Sequence, residues 1–229
     1  MKQKILKISA LVSIAVGLLL VFIPNIFWFA YCPDDIALRI TQNDGYPRWF
    51  SYERALAINT MVILTAVGAA IAFVGMVLFV VSQLKKFKKS DGIAFGFISL
   101  ALLSVILLLT ALTPCVEWMP SARPMACVWM WRMIIGICAG ISALGLLMLV
   151  KRESKEALTG IGYGMIVLAV LFTLVPRTLL SGCNPANDML CLDGFETFGL
   201  VMGIVLTVIA AANVALLHFN KKQEETDEE

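Results

Sequence analysis

Six cysteines carry most of the reactive chemistry available to this 229-residue chain. Cys32, Cys115, Cys127, Cys183 and Cys191 lie in or beside the connections between apolar stretches, whereas Cys138 lies inside one. The charge pattern described below puts all five connection cysteines on one side of a membrane. Such placement suits an oxidising compartment, where disulfides persist. Two pairs can close locally, Cys115 with Cys127 and Cys183 with Cys191. A loop tied at that spacing is stabilised by about 2–4 kcal/mol on the chain-entropy view. Cys32 is then left over, and spacing alone does not settle connectivity.

Two sharper chemistries compete with structural staples. A membrane thiol–disulfide oxidoreductase would use the outer cysteines directly. Reactive pairs commonly take the close Cys-x-x-Cys spacing that lowers one thiol's pKa; here the spacings are Cys-x11-Cys and Cys-x7-Cys. Neither pair has an obvious neighbouring histidine or lysine. Soft-metal handling is the other possibility, because Cys115, Met119, Met125 and Cys127 crowd one connection. Thiolates and thioethers select copper(I)-like ions. The competing account makes Trp118, Trp129 and Trp131 an interfacial aromatic belt with methionine filling gaps. The one histidine, His218, lies at the opposite end of its helix.

Charged and aromatic residues at the same boundary form a further constellation. Arg54, Arg132 and Glu196 each open the second helix of a hairpin. Ionisable groups at membrane depth usually face the bundle interior and pair, so an Arg132–Glu196 bridge between hairpins competes with simple snorkelling to the interface. Trp118, Arg123, Trp129 and Trp131 are candidates for contact with a membrane-protein partner, since aromatic and arginine side chains anchor interfaces. Anchoring in the lipid interface is the alternative. The chain has no Walker motif, no Gly-x-Ser-x-Gly, no His-Glu-x-x-His and no paired-carboxylate motif. Hydrolases and ATPases therefore find no support. No enzyme activity or cofactor is expected, and the metal candidates are weak.

The elements that carry these residues follow from composition. Hydrophobic residues make up 60% of the chain and mean hydropathy is +0.88, well beyond soluble domains. Crossing about 30 Å of hydrocarbon takes about 20 mostly apolar helical residues. Six stretches qualify, approximately 5–30, 55–84, 93–113, 132–150, 160–180 and 196–219. The expectation is an all-α integral membrane protein of six transmembrane helices. Its first partner is the lipid bilayer; a homo-oligomer is open, and the net charge of +2 implies no nucleic acid. No Asp, Glu, Lys or Arg sits mid-span, which argues against a self-contained ion- or proton-coupled carrier.

Lysine and arginine orient the chain. Lys2, Lys4, Lys7, Lys85, Lys86, Lys88, Lys89, Lys151, Arg152, Lys155, Lys221 and Lys222 occupy the termini and the even-numbered connections. The odd-numbered connections and their flanks hold Arg39, Arg48, Arg54, Arg123, Arg132 and Arg177, with no lysine. The positive-inside rule then puts both termini in the cytoplasm of a plasma-membrane protein, with the cysteine-bearing loops outside. Residues 8–30 are too long for a signal-peptide core and precede no small-x-small site, so they read as an uncleaved first span. The tail from 221 onward is charged and is expected to be disordered.

A repeat is visible within this layout. Residues 92–115 align without a gap on 160–183, so that Cys115 falls on Cys183. The expected plan is three hairpins in a single membrane domain (1–91, 92–157 and 158–220, then the tail 221–229). The second and third would be related by internal duplication, and the first is a diverged copy or an addition. They could surround a pseudo-threefold axis, or form a four-helix unit with a hairpin in front. Gly92/Gly96, Gly160/Gly164, Gly136/Gly140, Gly68/Ala72 and Ser9/Ser13 are spaced as small-xxx-small packing pairs.

Residues 93–220 resemble a bacterial membrane-protein family known as domain of unknown function 4418. The resemblance lies in Pro114-Cys115, Pro124-Met125-Ala126-Cys127 with Trp129, Gly136, and the glycines at 160–164. It continues through Pro176, Ser181-Gly182-Cys183 and Met189-Leu190-Cys191. The family pattern has a histidine where this chain has Val128, which weakens any metal role. The resemblance implies a multi-span envelope protein and brings no activity with it.

Overall fold

In the computed structural model, residues 2–28, 48–83, 88–110, 126–176 and 190–227 are described. Among them there is no strand. Six helices run in order: α1 Lys2–Ile23, α2 Arg48–Gln83, α3 Lys89–Thr110, α4 Ala126–Val150, α5 Lys155–Leu174 and α6 Leu190–Asp227. Each carries an apolar window long enough to cross a membrane; the first, Ile5–Ile26, runs on from α1 into the turn that follows it, and the last is Glu196–Phe219. The all-helical, six-span expectation therefore holds, and the chain is a multi-pass membrane protein in contact with the bilayer.

Proline shapes the end of the first span. Pro24 has no N–H to continue the helical ladder, and α1 gives way to a π-helical turn, Pro24–Trp28. Asn25 lies in this turn, and its Nδ2 donates to the Val21 carbonyl at 2.6 Å and to Thr65 Oγ1 of α2 at 2.8 Å. One buried amide thus links the turn back to α1 and across to α2.

Helices α1 and α2 pack along their length, as do α5 and α6, and α3 pairs with α4. The middle hairpin is the centre, because α4 also meets α1 and α5, while α2 meets α3. Helix α6 packs mainly on α5 and makes at most marginal contact with the first hairpin. Among the described residues the hairpins meet in a row, the second packing on both others and the third at most marginally on the first.

Small residues set the closest approaches, but only partly the ones their spacing suggests. A Cβ on Gly17 would sit 2.5 Å from the Ala72 amide nitrogen and 2.6 Å from the Gly68 carbonyl oxygen, so the Gly68/Ala72 pair does seat α1. Gly140 and Gly164 face Leu168 and Leu144 across α4 and α5. Gly96, Gly136 and Gly160 instead have nothing within 4 Å, and Ser9 is exposed, bonding its own Leu6 carbonyl. Those positions face outward, which corrects their assignment as packing pairs. The aligned glycines Gly96 and Gly164 are thus used differently in the two later hairpins.

Candidate functional site

The densest polar constellation among the described residues lies where the Lys-rich connections meet. Helix α4 stops at Val150 and α5 starts at Lys155, so Lys151–Ser154 must turn within four residues. Ser154 caps α5, its hydroxyl accepting from the Ala157 N–H at 3.3 Å, as small polar N-caps do. The tightness of this turn buries Arg152, which is 6% exposed.

Three elements converge on that guanidinium. Its Nη1 donates to Asp91 Oδ2 at 3.2 Å, and its Nη2 to Gln83 Oε1 at 2.7 Å. Its carbon sits 5.9 Å from the centre of the Phe79 ring, and Nε lies 3.3 Å from Glu153 Oε1. Asp91 is fully buried and does double duty, also accepting the Lys88 backbone N–H at 3.0 Å. That is half of a capping box at the start of α3. Asp91 Oδ1 has no hydrogen-bond partner among the described residues. Outside the node, Lys88 Nζ reaches Glu153 Oε2 at 2.9 Å. The end of α2, the start of α3 and the α4–α5 turn are thereby joined through one arginine.

The chemistry of this node is electrostatic clamping. A buried charge is tolerable when paired and hydrogen-bonded, and Arg152 uses its Nη1 and Nη2 to hold helix ends together, while its Nε makes no hydrogen bond among the described residues. The exposed rim behaves differently. The Lys88 hydrogen bond, reinforced by the charges of Lys88 and Arg152, holds the Glu153 carboxyl below its ordinary value of 4.5. Because the folded value is depressed, this pair stabilises the fold above that ordinary value, and the contribution disappears as pH falls through the lowered one. Lys88→Ala is therefore expected to cost a small, constant increment of thermal stability at neutral pH. Melting curves of variant and parent should converge under strongly acidic conditions.

Buried polar groups deeper in the spans are neutral amides and hydroxyls. Besides Asn25 and Thr65, they are Ser104, Ser142 and Asn213, with the buried thiol of Cys138 beside them. Ser104 bonds back to the Leu100 carbonyl at 2.8 Å. Asp91 and Arg152, the buried charges among the described residues, sit together at the Lys-rich end.

Of the residues singled out in the sequence, Cys32, Cys115, Cys183, Trp118, Met119, Arg123 and Met125 lie outside the described residues. Cys127 and Trp129 begin α4, Cys191 begins α6 and Arg54 lies in α2, described as backbone positions. The disulfide expectations thus fall outside what is described. No group of three metal-binding side chains occurs among the described residues. Arg132 on α4 and Glu196 on α6 are both half-buried, and both helices pack on α5.

Trp131 requires a correction. Grouped with the partner-contact residues by sequence, it is instead 1% exposed. Its indole N–H donates to the Leu108 carbonyl at 3.1 Å. Leu108 lies in α3, so Trp131 ties its own helix to the one that precedes it. Trp131→Phe should lower stability by about 1 kcal/mol, the ordinary net contribution of one hydrogen bond. Chemical denaturation in detergent would measure it; an unchanged midpoint would mean that the carbonyl finds another donor.

Sequence reasoning counted Arg152 only as a topological charge. The available signal was an arginine in a four-residue connection with an aspartate in the first turn of the preceding hairpin, but nothing linear joined them.

No curated protein and no solved structure matches the chain. A family model described as a domain of unknown function (DUF4418) matches residues 97–216, just over half of the chain. The match runs from within α3 to within α6 and includes Trp131, Cys138 and Arg152, while Gln83 and Asp91 precede it. With more than half its length matched, the chain belongs to the DUF4418 family.

Proposed function

We propose that this protein is a non-catalytic plasma-membrane component that assists or assembles a transport or envelope complex through protein contacts. In this reading the Lys-rich face is cytoplasmic, following the positive-inside rule. The cysteine-bearing loops face outward and are stapled by Cys115–Cys127 and Cys183–Cys191. The supporting observation is the use made of buried charge: Arg152 and Asp91 are both committed to joining helix ends. A scaffold of this kind presents its loops from a clamped base. Trp118, Arg123 and Trp129 remain the contact candidates once Trp131 is assigned to the bundle.

Photo-crosslinkable residues at positions 118, 123 and 129, introduced one at a time in the native cell, test this. One recurrent heterologous protein adduct is the expected result. Adducts to lipid alone would contradict it. In that event, trapping of a mixed disulfide at Cys115 or Cys127 would move the assignment to thiol–disulfide exchange.

A further inference from the structure

Seams within the hairpins and the seam between the second and third are built differently. Inside each hairpin the close approach reaches backbone. In the first, a Cβ on Gly75 of α2 would fall 2.8 Å from the Ile14 amide nitrogen of α1. In the second, one on Gly145 of α4 would fall 3.2 Å from the Ala94 carbonyl oxygen of α3. In the third, one on Gly203 of α6 would fall 2.9 Å from the Thr173 amide nitrogen of α5. Backbone has no rotamer to change, so each hairpin is held as a pair.

Between α4 and α5 the contacts are side-chain tips. A Cβ on Gly140 of α4 would meet Leu168 Cδ1 of α5 at 2.9 Å. One on Gly164 of α5 would meet Leu144 Cδ1 of α4 at 3.3 Å. Each is a leucine resting on a glycine, and a leucine tip moves by a change of rotamer. This seam is the main attachment of the third hairpin, because α6 meets helices other than α5 at most marginally. The Tyr163–His218 hydrogen bond also stays inside that hairpin.

A helix pair joined firmly within itself and to the rest through one yielding seam can move as a body about that seam. The chain passes from α4 to α5 through Lys151–Ser154, which is then the hinge. Arg152 lies in that hinge. Its bonds to Asp91 and Gln83 fasten the hinge to the start of α3 and the end of α2.

The geometry points to the third hairpin, α5 with α6, as a rocking unit that turns about the α4–α5 seam and is latched by Arg152. The arginine thereby selects one arrangement of the bundle besides contributing to its stability. This inference stands independently of the accessory role, because it concerns only how the helices move.

Pulsed electron spin resonance on full-length protein in lipid nanodiscs tests it. Spin labels carried on unnatural residues leave the native cysteines in place. Val77 on α2, Leu147 on α4 and Leu216 on α6 are exposed side chains toward the Lys-rich end. The 77–216 pair reports on the third hairpin, and the 77–147 pair on the first four helices. Arg152→Met with Asp91→Asn removes the latch without stranding a charge. Gln83→Ala, a milder variant, cuts only the tie to α2 and leaves the ion pair. In the parent both label pairs should give one narrow distance peak. In the double variant the 77–216 distribution should broaden or gain a second, displaced peak, while 77–147 keeps the parent's. Gln83→Ala should change 77–216 in the same direction and by less.

An unchanged 77–216 distribution in both variants would overturn the proposal. So would equal broadening of 77–147, since the node would then hold the whole bundle and not one hairpin. A parent whose 77–216 distribution is already broad would overturn it too, because nothing would be latched.

Discussion

Arg152→Ala should destabilise the protein by about 3–5 kcal/mol, the range found when one partner of a buried ion pair is removed. The magnitude follows from burial on both sides: Arg152 is 6% exposed and Asp91 is 0% exposed. Losing the guanidinium leaves the Asp91 carboxylate desolvated, with one oxygen already lacking a partner, and frees Gln83 as well. Arg152→Lys should recover only part of the loss. An ammonium is a point charge and lacks the planar fork that spans Asp91 and Gln83 over the Phe79 ring. Arg152→Met together with Asp91→Asn should restore most of the stability, since removing both charges leaves none stranded. Reversible denaturation in mixed detergent micelles would measure all three. A single variant no less stable than the double would show that the ion pair is not what joins the helix ends.

Gly17→Leu carries the second large effect, about 3 kcal/mol or more, at the upper end of ordinary overpacking penalties. The obstacle is backbone: the added Cβ alone would meet the Ala72 nitrogen at 2.5 Å and the Gly68 carbonyl oxygen at 2.6 Å. Backbone cannot rotate aside as a flexible side chain can, so α1 must move off α2. Without lipid-excluded driving force between spans, close contact is the chief source of helix affinity there. The separation would also strain the Asn25–Thr65 hydrogen bond. Gly96→Ala is the matched control, because nothing lies within 4 Å of its Cβ. It should be neutral or slightly stabilising, given alanine's better helix propensity. Equal effects at the two glycines would contradict the packing described for the first hairpin.

The six spans were legible because a bilayer imposes a length and polarity requirement that any chain must display in linear order. Where the Gly68/Ala72 pair was read as a packing device, it is one, with Gly17 as its partner. The outward-facing Gly96, Gly136 and Gly160 show the limit of that signal. Spacing by four places two residues on one face of a helix but does not say toward which neighbour that face turns. Trp131 misled for a related reason: a tryptophan near a membrane boundary satisfies an interface rule whether it points to lipid or into the bundle. What decided its direction was a carbonyl twenty-three residues earlier. Arg152 pairs across sixty-one residues, and its burial depends on a tight turn that bends it inward. Family membership was legible from the Cys–Met–Cys framework and its flanking prolines and glycines, which a resemblance captures without knowing the packing.

Purification of the tagged protein from its native membrane in mild detergent, with mass spectrometry of everything retained, tests the accessory role most directly. The account predicts one different membrane protein in stoichiometric amount, such as a transporter permease, lost when Trp118 and Arg123 are replaced by alanine. Recovery of the protein alone, repeatedly and after crosslinking, would contradict it and leave the outer cysteines as the place to look for activity.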